Sequence, residues 1–182
     1  MTKYVALLRA VNVGGTGKLR MLDFVAACRG AGFADIETYI ASGNAVFGSK
    51  STASKVKTEL ESQLQSRLQK KVGVIVRTAA EMRAILRANP FPQADPKLTY
   101  AIFLDLPAPS GVLMNVRGRT DEKISLGHRE IYVYYPSGMG HSKLKIPAAN
   151  TGTARNMNTV ARLVEMTYRV GKSERPNTRN VG

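Results

Sequence analysis

Over the first 78 residues the apolar positions change period four times, and that succession restricts the fold more tightly than any other feature of the chain. Residues 3–9 form a short β-rich run ending at an arginine, and 21–31 place Leu22, Val25 and Cys28 at helical spacing. Thr38-Tyr39-Ile40 and Ala45-Val46-Phe47 flank Ser42-Gly43-Asn44, residue types that close hairpins. Val56, Leu60, Leu64 and Leu68 then recur every fourth position behind Ser51-Thr52, an amphipathic helix with a cap that is expected to stop by Gly73. Val74-Ile75-Val76 closes the set. The order β-α-β-β-α-β is that of a ferredoxin-like unit.

The remainder resembles a second, looser copy. A helix near 79–88 must end before Asn89-Pro90-Phe91-Pro92, because a residue preceding proline is pushed out of helical geometry. A strand at 99–105, a short helical stretch near 109–116, strands near 122–127 and 130–135 and a helix near 155–169 repeat the β-α-β-β-α order. The expected architecture is α/β (α+β), two ferredoxin-like halves in tandem forming one compact unit. The boundaries fall at 1–78 and 79–169, followed by a basic tail, 170–182, with too few apolar residues to offset its ordering entropy.

A chain of 182 residues that is 43% apolar can bury a core without staples, and its solitary Cys28 has no partner for an internal disulfide. One cysteine and two histidines are too few for an ordinary structural zinc site, and the 13 carboxylates form no cluster with metal-ligand spacing, so no metal and no cofactor is expected. No apolar run approaches the roughly 20 residues that span a bilayer, and the N-terminus reads as a strand without a cleavage site. A cytoplasmic protein with no membrane partner is expected. The net charge of +14 favours anionic partners, phosphate-bearing ligands or nucleic acid, although Lys55, Lys57, Arg67, Lys70 and Lys71 also fit the solvated face of one helix.

Candidate chemistry sits in polar glycine turns. Arg9, Asn12, Gly14, Gly15 and Lys18 leave a strand and approach a helix, where glycines admit backbone N–H groups to an anion. The segment is not a Walker A loop: Asn12 and Leu19 stand where that loop requires glycine and a hydroxyl residue. In a β-α-β-β unit the first two strands are parallel and the third lies between them, which brings Ser42 and Asn44 to the same rim. Arg155, Asn156 and Asn158, behind the cap candidate Thr153, are a second polar cluster that joins this rim if the last helix packs toward it. Ser137–Lys143 is a further glycine-rich turn. His141 and Cys28 are the first residues to test for catalysis, and Cys28 also fits a buried helical face.

Leu8–Gly15, Thr38–Phe47, Asn89-Pro90-Phe91 and Thr153–Thr159, in that order, resemble the blocks of DUF 1697, a largely bacterial family of unknown function. The resemblance spans about residues 3–169 and implies a cytoplasmic protein of duplicated ferredoxin-like architecture. It supplies no catalytic residue, substrate or cofactor. The family commonly carries a tryptophan where this chain has Met157 and a glutamine where it has Ala41. Three function classes follow: a binding or regulatory protein for a phosphate-bearing ligand or nucleic acid, a metal-independent enzyme acting on a small anionic metabolite, and a structural or oligomeric partner protein. The sequence leaves the choice, and the oligomeric state, open.

Overall fold

The computed structural model describes residues 1–9, 19–39 and 43–169; most of the glycine loop, the hairpin residues Ile40–Ser42 and the basic tail lie outside them. The first half runs β1 (Thr2–Leu8), α1 (Met21–Gly30), β2 (Ala34–Tyr39), β3 (Asn44–Ser49), α2 (Ala53–Leu68) and β4 (Val74–Thr78). Its sheet has the order β2-β3-β1-β4 with every pairing antiparallel, the ferredoxin-like arrangement read from the sequence. After α3 (Ala79–Arg87), the strands β5 (Thr99–Phe103), β6 (Lys123–Leu126), β7 (Glu130–Tyr134) and β8 (Thr153–Asn156) form a second sheet of order β6-β7-β5-β8, again antiparallel. The last element is α4 (Met157–Arg169).

Local chemistry sets these boundaries. Thr52 accepts the Lys55 N–H at the start of α2, whose buried stripe is Val56, Leu60 and Leu64. That helix ends at Leu68, where Gln69 takes a left-handed conformation (φ 53°), four residues before the glycine expected to stop it. Thr78 and Glu81 form a reciprocal capping box on α3. In α1 the core face is Phe24, Ala27 and Cys28, whereas Leu22 points to solvent.

The sequence reading differs from the structure most in the second half. Thr153–Asn156 is a strand, not the first turn of a helix, and Asn156, not Thr153, caps α4 by accepting the Thr159 N–H at 2.9 Å. Four residues are too short for a periodic signal, so β8 is recognisable only by its pairing with β5. The expected helix near 109–116 is a single 3₁₀ turn, Val112–Asn115. Two more such turns, Met139–His141 and Pro147–Thr151, occupy the place that α2 takes in the first half.

Layering explains why β1 reads Tyr-Val-Ala-Leu-Leu without alternation. Tyr4, Ala6 and Leu8 face a core shared with α1 and α2, while Val5 and Leu7 face a second core that holds α3, α4 and the inner face of the other sheet. Both faces are therefore covered. A third core, including Ile102, Leu104, Ile131, Val133 and Ile146, lies beyond the second sheet under the 3₁₀ turns. The order is α1/α2, sheet, α3/α4, sheet, turns, and the two halves are joined through the middle layer. No described helix is long and apolar enough to cross a membrane.

In the outer turn layer, the buried Glu122 carboxylate accepts hydrogen bonds from the Ser142 hydroxyl and from the Thr120 N–H at 2.7 Å. The Ser142 bond first, and then the Thr120 amide, hold its pKa down to about 2. A depressed folded-state value contributes stability above the unfolded carboxylate pKa of about 4.3, and that contribution is lost as pH falls through about 2. Thermal unfolding followed from pH 5 to pH 2 is expected to show a declining midpoint, and Glu122→Gln is expected to flatten part of that decline. An identical pH profile for the variant would contradict this assignment.

Candidate functional site

The end of β1 gathers three other strand ends. Leu8 N–H donates to the Gly43 carbonyl at 2.8 Å, ahead of β3; Arg9 N–H donates to the Gly73 carbonyl at 2.9 Å, ahead of β4; and the Thr153 hydroxyl, opening β8, donates to the Leu8 carbonyl at 3.1 Å. The rim expected from topology thus exists for the described residues, and it joins both halves.

Within it, Arg155 and Asn44 are bound to protein atoms. Arg155 Nε donates to Asn44 Oδ1 at 2.6 Å, Nη1 to Thr153 Oγ1 at 2.7 Å, and Nη2 to the Leu8 carbonyl at 3.1 Å. Asn44 in turn donates through Nδ2 to the Tyr39 carbonyl at 2.8 Å. Burial lowers the Arg155 pKa to about 10, so the guanidinium stays charged at neutral pH. Asn156 and Asn158 stand at the opposite end of β8, where the Met157 N–H meets the Pro96 carbonyl. The start of α4 is therefore carried away from the rim. Asn12, Gly14, Gly15, Lys18 and Ser42 lie outside the described residues.

Arg9 differs from these inward-facing groups. Its side chain crosses Gly73, where an added Cβ would come within 3.2 Å of Arg9 Cδ. It lines a cavity of about 550 Å³ together with Leu104, Asp105, Leu106, Pro109 and Thr151. Nη2 reaches the Asn150 carbonyl only at 3.5 Å, and the buried Nε has no hydrogen-bond partner among the described residues. The one carboxylate of this wall, Asp105, receives Lys57 Nζ at 2.7 Å. Lys57 Nζ also lies 4.0 Å from Glu61, so Lys57 is shared between two carboxylates and Arg9 is left as the cation of this wall without a carboxylate of its own among the described residues.

The other sequence candidates have structural duties or stand apart. Ser142 holds Glu122 and the Ser137 hydroxyl donates to Asp121, so the 137–143 turn binds carboxylates of its own chain. His141 is exposed on the 3₁₀ turn. Cys28 is fully buried and its thiol is pushed up to about 12, which leaves it protonated and unreactive at neutral pH. Among the described residues no group of three or more His, Cys, Asp or Glu could hold a metal ion.

A second buried arginine lies outside the polar clusters that the sequence marks. Arg77 on β4 is 1% exposed; Nη2 donates to the Leu104 carbonyl at 2.6 Å and to the Arg129 carbonyl at 3.1 Å. This is the Arg155 arrangement turned around. Arg77 lies opposite Val5 on β1 as Arg155 lies opposite Ala101 on β5. Leu104 N–H bonds the Arg129 carbonyl as Leu8 N–H bonds that of Gly43. Each half thus sends one arginine from its fourth strand into the end of the other half's first strand, and the next residue, Thr78 or Asn156, caps the helix that follows. The legible signal was an arginine interrupting the apolar run Val74-Ile75-Val76 directly before a cap. Glu130 takes the place of Asn44, and its carboxylate lies 3.9 Å from Arg77 Nε.

A model of the family described as "Protein of unknown function (DUF1697)" matches residues 1–132. A solved structure of a conserved bacterial protein from Streptococcus pneumoniae is similar over 91% of this chain and 98% of that one, with a TM-score of 0.74 and 22% identity. At that identity the likeness speaks to the fold. No curated protein matches the chain.

Proposed function

We propose, for a chain that belongs to the DUF1697 family and so takes no activity from its family description, that it binds a small phosphate-bearing ligand at the cavity beside Arg9. The observation that carries the reading is an arginine side chain that lines a concave space with its Nη2 held only at 3.5 Å and its buried Nε without a hydrogen-bond partner among the described residues, since such groups are ordinarily satisfied. A phosphate oxygen in the cavity takes a charge-assisted bond from the loosely held end of this guanidinium. Asn12, Gly14, Gly15 and Lys18 follow Arg9 directly in the chain, and the reading assigns their N–H groups and charge to the same anion. Arg155 and Asn44 support the rim without touching the ligand.

Binding is favoured over turnover because the polar groups of this wall are engaged: Asp105 holds Lys57, and the Thr151 hydroxyl donates to the Ala148 carbonyl at 3.3 Å. A small ligand is favoured over nucleic acid because the wall is concave and includes a carboxylate, which an extended phosphate backbone would have to pass. A cytoplasmic location, where such ligands are abundant and Cys28 stays reduced, fits the same reading.

A thermal-shift screen of nucleotides and sugar phosphates tests it, because a ligand that prefers the folded state must raise its stability. Arg9→Gln is expected to weaken any hit by about tenfold or more, the worth of one charged hydrogen bond. Nucleic-acid binding would instead reveal itself by a steep loss of affinity with salt. Hits unaffected by Arg9→Gln would move the site elsewhere.

A further inference from the structure

The two arginine sites, alike in their backbone acceptors, differ in one respect. Arg155 Nε is closed by Asn44 at 2.6 Å, whereas Arg77 Nε makes no hydrogen bond and faces Glu130 Oε1 across 3.9 Å, too far for one. Glu130 Oε2 accepts the Arg129 N–H at 3.2 Å, and no described donor reaches Oε1. Both side chains are more than nine-tenths buried. An unclosed donor at this depth costs free energy unless something else satisfies it, and Glu130 Oε1 beside it is an acceptor without a donor among the described residues.

A second cavity, of about 220 Å³, lies at this pair. Its walls are Ala84 and Ile85 of α3, Ala88 just past the end of that helix, the β6–β7 turn at Gly127 and His128, and the ring of Tyr132. The Tyr132 hydroxyl is already used on the Ile85 carbonyl at 2.8 Å, so the tyrosine offers the cavity an apolar face. Gly127 lets the turn close over the pair, because a Cβ there would meet Glu130 Oε2 at 2.6 Å and the Tyr132 ring at 3.0 Å. Ala84 and Ala88 are exposed and form the mouth.

The geometry points to a second binding site here, for a small neutral molecule that carries an amide edge on a flat apolar body. The N–H of such an edge donates to Glu130 Oε1, and its carbonyl accepts from Arg77 Nε once the guanidinium, sealed from the cavity as it stands, turns toward it. Neutrality follows from the charges at the wall: Arg77 and Arg129 balance Glu81 and Glu130, with Arg129 and Glu81 themselves paired. An added charge would be desolvated without a counterion. The volume is below the 300–1,000 Å³ usual for drug-sized ligands, which restricts the body to about one ring system. This site is separate from the Arg9 cavity and does not depend on it.

Amide ¹H–¹⁵N spectra of the full chain, titrated with benzamide, benzoate and benzylamine, test the assignment. Benzamide is expected to shift Gly127, His128 and Ala84, and to bind at least about tenfold more tightly than either charged analogue. Ala84→Leu fills the mouth from an exposed position and leaves Arg77 and Glu130 untouched. It is expected to abolish the benzamide shifts while the rest of the spectrum stays folded. Equal responses to all three compounds, no response to benzamide, or a response that survives Ala84→Leu would each overturn the proposal.

Discussion

Arg155→Met is expected to lower the unfolding free energy by about 3–5 kcal/mol, read as a shifted urea midpoint with an unchanged slope. Methionine fills much of the same space, so the effect is one of hydrogen bonding more than of cavity formation. It removes donors from Asn44 Oδ1, Leu8 O and Thr153 Oγ1 in a buried environment, and bonds to a charged donor are individually worth about 1.5–3 kcal/mol. Arg155→Lys is expected to recover only a minority of the loss, because one ammonium cannot reproduce a planar fork reaching into β1, β3 and β8 at once. A cost below about 1 kcal/mol would mean that the arginine does not join the halves.

Arg77→Met is expected to cost a similar amount, with a distinguishing signature. It takes bonds from the Val76, Leu104 and Arg129 carbonyls and leaves the Glu130 carboxylate, 6% exposed, without the cation it faces. Breaking a buried charge pair from one side costs about 3–5 kcal/mol. Adding Glu130→Gln removes the stranded charge, so the double variant is expected to be more stable than Arg77→Met alone by at least about 1 kcal/mol. The pair differs here from the other half, where a neutral asparagine faces the arginine and no such rescue exists. Strict additivity of the two substitutions would contradict the coupling.

How far the sequence disclosed this arrangement depended on element length. The first half was readable almost element by element, since α2 repeats a buried residue on each turn and β1, covered on both faces, stands out as an unbroken apolar run. In the second half the counterparts of α1 and α2 have shrunk to 3₁₀ turns, and β8 has four residues, too few for either period to register. The block Thr153–Thr159, which lies beyond residues 1–132 matched by the family model, holds a strand, a cap and a helix start, and only the fold tells those duties apart.

The polar rim was placed correctly by topology, because the third strand of a β-α-β-β unit must begin where the first ends, and Leu8 does meet Gly43. What topology could not supply was the direction of each side chain. Asn44 and Arg155 stand on the inner face between the sheets and bind backbone from both halves, whereas Arg9, one residue past the strand, turns along Gly73 toward a cavity. Polarity alone gave all three equal standing as ligand contacts. Arg77 carries no such polar context: it sits in a strand among valines and isoleucine, and Thr78 is its first polar neighbour.

The central claim is that the arginine beside the larger cavity receives an anion while the two buried arginines hold the fold. Arginine Nε–H spectra of ¹⁵N-arginine-labelled protein, recorded while inorganic pyrophosphate is added, address it directly. The account predicts that the Arg9 Nε–H signal moves with saturable dependence and that those of Arg77 and Arg155 stay in place. Movement of the Arg155 signal with Arg9 unchanged, or no saturable movement of Arg9, would contradict it.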